Sequence, residues 1–360
     1  MVINEFGKLK EVIVGRELKV SKRALDLSFK VLYSKIMKDK EWDEFEEYKI
    51  SQKFIDERNE DLDNFAKLLE NMGVNVIRPE KQTDMKKIKT PYFESLDLTS
   101  SNVRDLTLVY KDAIFEFPPI YRGRYFEHHY LYNYFKKKMY KDNYLWIKAP
   151  LNRLMDDSID YLDWDEKRNF ENFNIDKYDI AIDAAQYLKI NDILLCNYSL
   201  YNHKLGTKWF ELNFKRLFPD TKIIYTKALI DNHLDGNIIP LREGVLLIND
   251  YNLYKPIEYY LPNEFKKWKL IKINNDRMSS DQIKKYLDYY TSIPQIASLR
   301  GMDINVLSYD RNTVFVNKDS MNVIKALEKE KFDVIPVQLR HSEIFGGGLH
   351  CVTLDVNREE

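Results

Sequence analysis

His341-Ser-Glu-Ile-Phe-Gly-Gly-Gly-Leu-His-Cys-Val-Thr-Leu-Asp-Val-Asn-Arg358 decides how the rest of this chain is read. Its consecutive glycines reach backbone conformations closed to other residues and let a ligand approach the main chain. They run into His350-Cys351, after which residues 352–356 alternate apolar and polar as a strand does. A thiol therefore stands at the mouth of a strand, beside yielding backbone. The strand over 351–356 has no hairpin partner of its own. Neither has Glu11-Val-Ile-Val-Gly15, a short buried strand stopped by glycine. Pairing the two would close the chain into a ring.

Between these segments one pattern recurs. Residues 51–72 form an amphipathic helix with Phe54, Leu62, Phe65, Leu69 and Met72 on one face, ended by Gly73 and followed by a strand over 74–78. Residues 106–110 and 113–117 make a hairpin around Lys111-Asp112. Residues 193–197 form a strand, followed by a helix near 206–217 and a strand over 222–226. A hairpin over 237–241 and 245–249 precedes a strand at 268–273. Another over 306–308 and 313–317 precedes a helix near 320–330 and a strand over 333–338. About five such units argue for a closed or stacked repeat architecture. The expected fold is α/β, one domain over 1–360, with an aromatic-rich insertion at about 118–180 that carries a helix over 125–140. Residues 17–50 are charged and read as partly helical.

Among the 360 residues, 56 Lys+Arg nearly balance 57 Asp+Glu, so no broad field draws in nucleic acid or an anionic membrane. No apolar run reaches membrane-spanning length, and residues 1–7 lack the regions of a secretory signal. Cys196 and Cys351 give no disulfide framework, which leaves the cytoplasm as the expected location.

Each unit sets a polar residue just before its first hairpin strand: Asp105, Asp183, His233 with Asp235, Asp303, and Cys351. In a ring these strand starts converge near the axis. A thiolate is a strong nucleophile once a nearby imidazolium lowers its pKa. A histidine oriented by a carboxylate can protonate a leaving group and then deprotonate an incoming nucleophile, and His233 with Asp183 suits that role. Surplus carboxylates would raise the thiol pKa and repel an oxyanion, which is odd for an acyl substrate. They suit a cation. Guanidinium presents paired N–H donors that match carboxylates, and Asp105 and Asp235 are the candidates for that clamp. Cys196, inside Ile193-Leu-Leu-Cys196, reads as core, and His128, His129 and His203 read as surface residues. Asp303 is open between a site residue and an ordinary turn residue. His233, His350 and Cys351 lack the spacing of a zinc site, so no metal is expected.

Phe345-Gly-Gly-Gly-Leu-His-Cys-Val-Thr-Leu-Asp355, with Asn232-His-Leu-Asp-Gly236 and Ile182-Asp-Ala-Ala185, resembles the arginine-dependent amidinotransferases, which include the glycine and inosamine-phosphate enzymes. So do Asn4-Glu-Phe-Gly-Lys-Leu-Lys-Glu-Val-Ile-Val-Gly15, Arg104-Asp105 and Tyr121-Arg-Gly-Arg-Tyr-Phe-Glu127. The resemblance runs nearly the whole chain, in order. It implies a pentein, a five-bladed α/β propeller of ββαβ modules with pseudo-fivefold symmetry. It implies a triad of Cys351, His233 and Asp183, with Asp105 and Asp235 gripping the guanidinium. The implied reaction is ping-pong transfer of the amidino group of L-arginine, through an amidino-cysteine, to an amine acceptor. Ornithine leaves, and neither metal nor organic cofactor takes part. Partners would be small molecules, and members of the family are often dimers.

Two positions depart from the family pattern. Glycine amidinotransferase holds a substrate carboxylate with an arginine where this chain has Asp250-Tyr-Asn252, with Lys255 the nearest cation. It carries a serine pair where this chain has Ser298-Leu299 beside Arg300. Ser298, Arg300 and Asp303 are the further substrate-binding candidates. A guanidino hydrolase of the same fold, with water in place of the amine, and a non-catalytic relative are the competing readings. Val352-Thr-Leu-Asp355 favours the transferase by resemblance.

Overall fold

Lys8–Val14 lies between two partners, antiparallel to Thr353–Glu359 and parallel to Asn75–Ile77. The pairing expected of the strands without hairpin partners is thus present, with Val12 opposite Asp355 and Ile13 opposite Leu354. The computed structural model describes residues 1–17, 22–23, 26–29, 48–81, 86–97, 101–160, 169–227, 229, 233–250, 255–274 and 302–360. Most of 17–50, together with Asn252, Ser298, Leu299 and Arg300, lies outside the described residues.

Four further sheets repeat the order of a hairpin plus a parallel third strand. Thr107–Tyr110 and Ala113–Glu116 are joined by Leu145–Lys148, and Tyr187–Ile190 and Ile193–Cys196 by Lys222–Tyr225. Ile238–Arg242 and Val245–Asn249 are joined by Lys269–Ile273, and Leu307–Ser308 and Thr313–Asn317 by Asp333–Val337. A parallel partner needs a crossover, and helices supply it. Gln52–Asn71, Tyr132–Asp142, Tyr201–Leu217 and Met321–Lys329 each run between a second and a third strand.

The apolar face of Gln52–Asn71 buries Phe54, Leu62, Phe65 and Leu69 at helical spacing, and Gly73 leaves the helix at φ +82°. Phe65 packs edge-on against Phe315, 5.3 Å away, in a cluster with Val12, Leu307 and Val352 that joins the first and fifth sheets. Ile13 meets Val109 and Ile114 between the first and second sheets, and Phe115 meets Leu194 between the second and third. Leu188 and Leu246 join the third and fourth, and Leu247 and Val316 the fourth and fifth. Apolar clusters therefore link each sheet to the next and the last back to the first. Phe65→Ala, at a fully buried position in one of these seams, is expected to lower unfolding free energy by about 3–5 kcal/mol in urea denaturation.

Several local expectations are corrected. The helix expected over 125–140 begins at Tyr132, after 3-10 turns at Arg122–Arg124 and Glu127–Leu131. Leu145–Lys148 pairs with Ala113–Glu116, so this part of the 118–180 segment is the crossover of the second unit. Tyr187–Ile190 completes the third hairpin and was not legible as a strand. Its Lys189 is fully buried, so the polar residue of the alternation does not face water. His128 and His203 are buried, the first with Nε2 2.9 Å from the Leu106 carbonyl, the second accepting from Ser199 N at 3.3 Å. Among the described residues, no helix is long and apolar enough to cross a membrane.

Candidate active site

The strand starts are stitched to one another through the main chain. Ala184 N donates to Asp105 O at 2.5 Å, Arg104 N to Cys351 O at 3.3 Å, and His350 N to Asn305 O at 3.2 Å. Asp183 precedes the turn Ala184–Gln186 at the head of Tyr187–Ile190. His233 and Asp235 sit at the turn Leu234–Gly236 before Ile238–Arg242, where Asn237 Nδ2 donates to His233 O at 3.2 Å. Asp105, Asp183, His233 and Asp235 are thereby delivered from their hairpins to a common region beside Cys351.

There His233 Nε2 is 2.9 Å from Asp183 Oδ2, and its Nδ1 is 3.8 Å from Asp105 Oδ1. Asp235 Oδ2 is 2.8 Å from His350 Nδ1 and accepts the Cys351 thiol at 3.4 Å. The Cys351 amide donates to Asn305 Oδ1 at 2.9 Å, and Asn305 Nδ2 donates to Asp235 Oδ2 at 3.3 Å. Arg124 Nη1 holds Asp105 Oδ2 at 2.6 Å. The other oxygens of the two aspartates, Asp105 Oδ1 and Asp235 Oδ1, are buried, and neither finds a hydrogen-bond donor among the described residues. A buried carboxylate oxygen without a donor is costly, so a pair of them marks a place built for N–H groups.

Burial alone would discharge the His233 imidazole, but Asp105, Asp183 and Asp235 push its pKa up to about 10, which makes it an imidazolium. Burial, then Asp235 and Asp105, push the Cys351 thiol well above its ordinary value. The thiolate expected beside an imidazolium is therefore not the resting form. Burial and the nearby carboxylates keep the proton on the sulfur, which donates a hydrogen bond to Asp235. Against burial, His350, His233 and Arg104 hold Asp235 at about 2, so it stays ionised.

Beneath the site lies a buried ion network. Arg104 Nε donates to the carbonyls of His350 (2.9 Å) and Thr353 (2.8 Å), while its Nη atoms pair with Glu5 and Asp355 at 3.0 and 2.5 Å. Lys189 lies 3.3 Å from Glu5 and 3.5 Å from Asp355, and His350 Nε2 lies 3.3 Å from Glu5. These contacts fix the main chain on both sides of Cys351.

No family model matches the chain. Over 312 residues it is 28% identical to the L-arginine:L-lysine amidinotransferase of Pseudomonas savastanoi pv. phaseolicola, covering 85% of this chain and 80% of that one. It is also 28% identical over 360 residues to inosamine-phosphate amidinotransferase 1 of Streptomyces griseus, covering 99% of this chain and 96% of that one. A solved inosamine-phosphate amidinotransferase from Streptomyces griseus matches with a TM-score of 0.78 at 25% identity, covering 100% of this chain and 97% of that one. The chain is similar to amidinotransferases over nearly its whole length. Its α/β fold is pentein-like.

In this chain the sequence candidates Asp105, Asp183, His233, Asp235 and Cys351 share one cluster, buried except for the half-buried His233. Asp303 does not join it. Its Oδ1 accepts from Ser320 Oγ at 2.6 Å, at the start of Met321–Lys329, which is the turn role. Ser298 and Arg300 lie outside the described residues. Asn305, two residues beyond Asp303, is the group from the fifth unit that faces Cys351, and no sequence signal separated the two. Arg124 and Glu127 were present in the quoted Tyr121–Glu127 motif without a role.

Gly347 and Gly348 serve close packing, whereas Gly346 takes a φ of +63°. Asn102 Nδ2 holds the carbonyls of Phe345 and Gly346 at 3.2 Å each, and Arg58 Nη2 holds Gly347 O at 2.6 Å. A Cβ on Gly347 would come within 2.2 Å of Asn102 Oδ1, and one on Gly348 within 2.8 Å of Asn305 O.

Proposed function

We propose that this protein moves the amidino group of L-arginine to an amine acceptor, ping-pong, through an amidino-Cys351 intermediate. Asp105 Oδ1 and Asp235 Oδ1, buried and without donors beside a thiol and an imidazolium, carry this reading. A guanidinium supplies planar N–H donors and one positive charge to both. We also read the five like sheets as the blades of a pseudo-fivefold propeller in one domain, supported by the cyclic run of apolar seams.

The electrostatics give the order of events. The charges of Asp105 and Asp235 hold the thiol up, so a bound guanidinium offsets them and lets the Cys351 proton leave to solvent. The thiolate attacks the guanidino carbon, forming the C–S bond. The His233 imidazolium gives its proton to the departing nitrogen, the C–N bond breaks, and ornithine leaves. The amidino-cysteine is itself a cation, held by the same two aspartates. His233, now neutral, takes a proton from the acceptor amine as that nitrogen bonds to the amidino carbon and the thiolate departs. Asp183 keeps the imidazole aimed throughout.

The donor half-reaction should depend on pH accordingly. Since Cys351 lies above its ordinary value, kcat/KM for arginine is expected to rise with pH through the neutral and mildly alkaline range. It should level off as His233 loses its proton near pH 10. A pH–rate profile of ornithine release checks both the rise and the plateau.

Arginine labelled at the guanidino carbon, offered with a panel of amines, tests the reaction class. Sustained ornithine release that requires an amine, with label in a new guanidino compound, is the expected result. Citrulline or ammonia formed without amine would assign the hydrolase instead, and no turnover with any amine would favour the non-catalytic relative.

A further inference from the structure

Arg124 stands behind the clamp, and the mechanism above gives it no part. Its side chain is 12% exposed and every nitrogen is committed. Nε and Nη2 take the two oxygens of Glu127 at 2.5 and 2.8 Å, Nη2 also donates to Asn102 O at 3.0 Å, and Nη1 reaches Asp105 Oδ2 at 2.6 Å. A planar fork fixed on one carboxylate cannot swing, so it engages a second carboxylate through one oxygen only. That leaves Asp105 Oδ1 without a donor, turned toward His233 Nδ1 at 3.8 Å. Asn102 in turn holds Phe345 and Gly346, so the same bracket supports the loop that leads to Cys351.

We propose that Arg124, anchored by Glu127, is a positioning residue that aims Asp105 at the guanidinium of the donor. This rests on the donor reading above. Asp105 is faced by Arg124 and Glu127 from one segment, by Asp183 from a second, and by His233 and Asp235 from a third. Burial and the other aspartates drive it toward its neutral form, and His233 and Arg124 oppose them. Without Arg124 the balance tips, and a protonated Asp105 no longer attracts a cation.

The test uses Arg124→Met, Arg124→Lys and Glu127→Gln, after the wild type has given its burst of ornithine with arginine. Arg124→Met is expected to raise donor KM by about tenfold to a hundredfold, with acceptor KM within about twofold of wild type. Its donor KM should improve with rising pH more steeply than that of wild type, as Asp105 recovers its charge. Arg124→Lys keeps the charge without the fork and should recover part of the loss, with the pH trend suppressed. Glu127→Gln should raise donor KM by about threefold, because a loosened Arg124 can cover both oxygens of Asp105. Should Arg124→Met not fold, Arg124→Lys decides, with an expected threefold to tenfold rise confined to the donor (about 1 kcal/mol). A donor KM within about twofold of wild type, or an equal rise for the acceptor, overturns the assignment of Arg124. Absence of the wild-type burst would instead sink the donor reading.

Discussion

Cys351→Ala is expected to abolish amidino transfer, lowering kcat by at least about ten-thousandfold while the protein still binds arginine. The sulfur forms the bond to the migrating carbon, and no neighbour can take its place. The other thiol, Cys196, is fully buried in the apolar cluster with Phe115 and Phe210, and burial pushes its pKa up. Asp105 and Asp235 keep their unpartnered oxygens in the variant, so a calorimetric titration should still detect the donor. The substitution also removes the thiol's hydrogen bond to Asp235, so binding should be undiminished. Loss of turnover together with loss of binding would point to a collapsed site rather than a missing nucleophile.

Asp235→Asn is expected to produce two effects of opposite sign. Asp235 is a clamp candidate, the acceptor of the Cys351 thiol, and the partner of His350. Removing its charge should lower kcat/KM for arginine by about two to three orders of magnitude, the usual scale for truncating one side of a buried charge pair. The resting thiol, however, should become more acidic. After burial itself, Asp235 is the strongest influence holding the Cys351 pKa up. Alkylation of Cys351 by iodoacetamide, followed against pH, should therefore shift to lower pH in the variant that transfers worst. A variant that merely loosened the fold would expose both cysteines and show no such selective shift.

Much of this was legible in the sequence, for identifiable reasons. Residues 352–356 alternate apolar and polar, residues 12–14 are apolar and stopped by Gly15, and each segment lacks a hairpin neighbour, so their pairing could be read from the sequence. The polar residues at the strand starts were legible because turn positions recur at the same place in each unit. What stayed hidden depends on partners remote in the chain. Lys189 sits in a strand with no solvent face because Glu5 and Asp355, from the two ends of the chain, neutralise it. Asp303 and Asn305 differ only by two positions, yet one serves a helix start and the other faces the nucleophile. The protonation of Cys351 was misjudged because sequence supplied the imidazole and the carboxylates without their distances. Burial, then Asp235 at 3.4 Å and Asp105, keep the proton on the sulfur.

The most direct test of the central claim is intact-protein mass spectrometry after mixing the enzyme with arginine and no amine. The account predicts one amidino group per chain, mapped to the peptide carrying Cys351, with one equivalent of ornithine in solution. Unmodified protein with no ornithine, or modification at another residue, would contradict it.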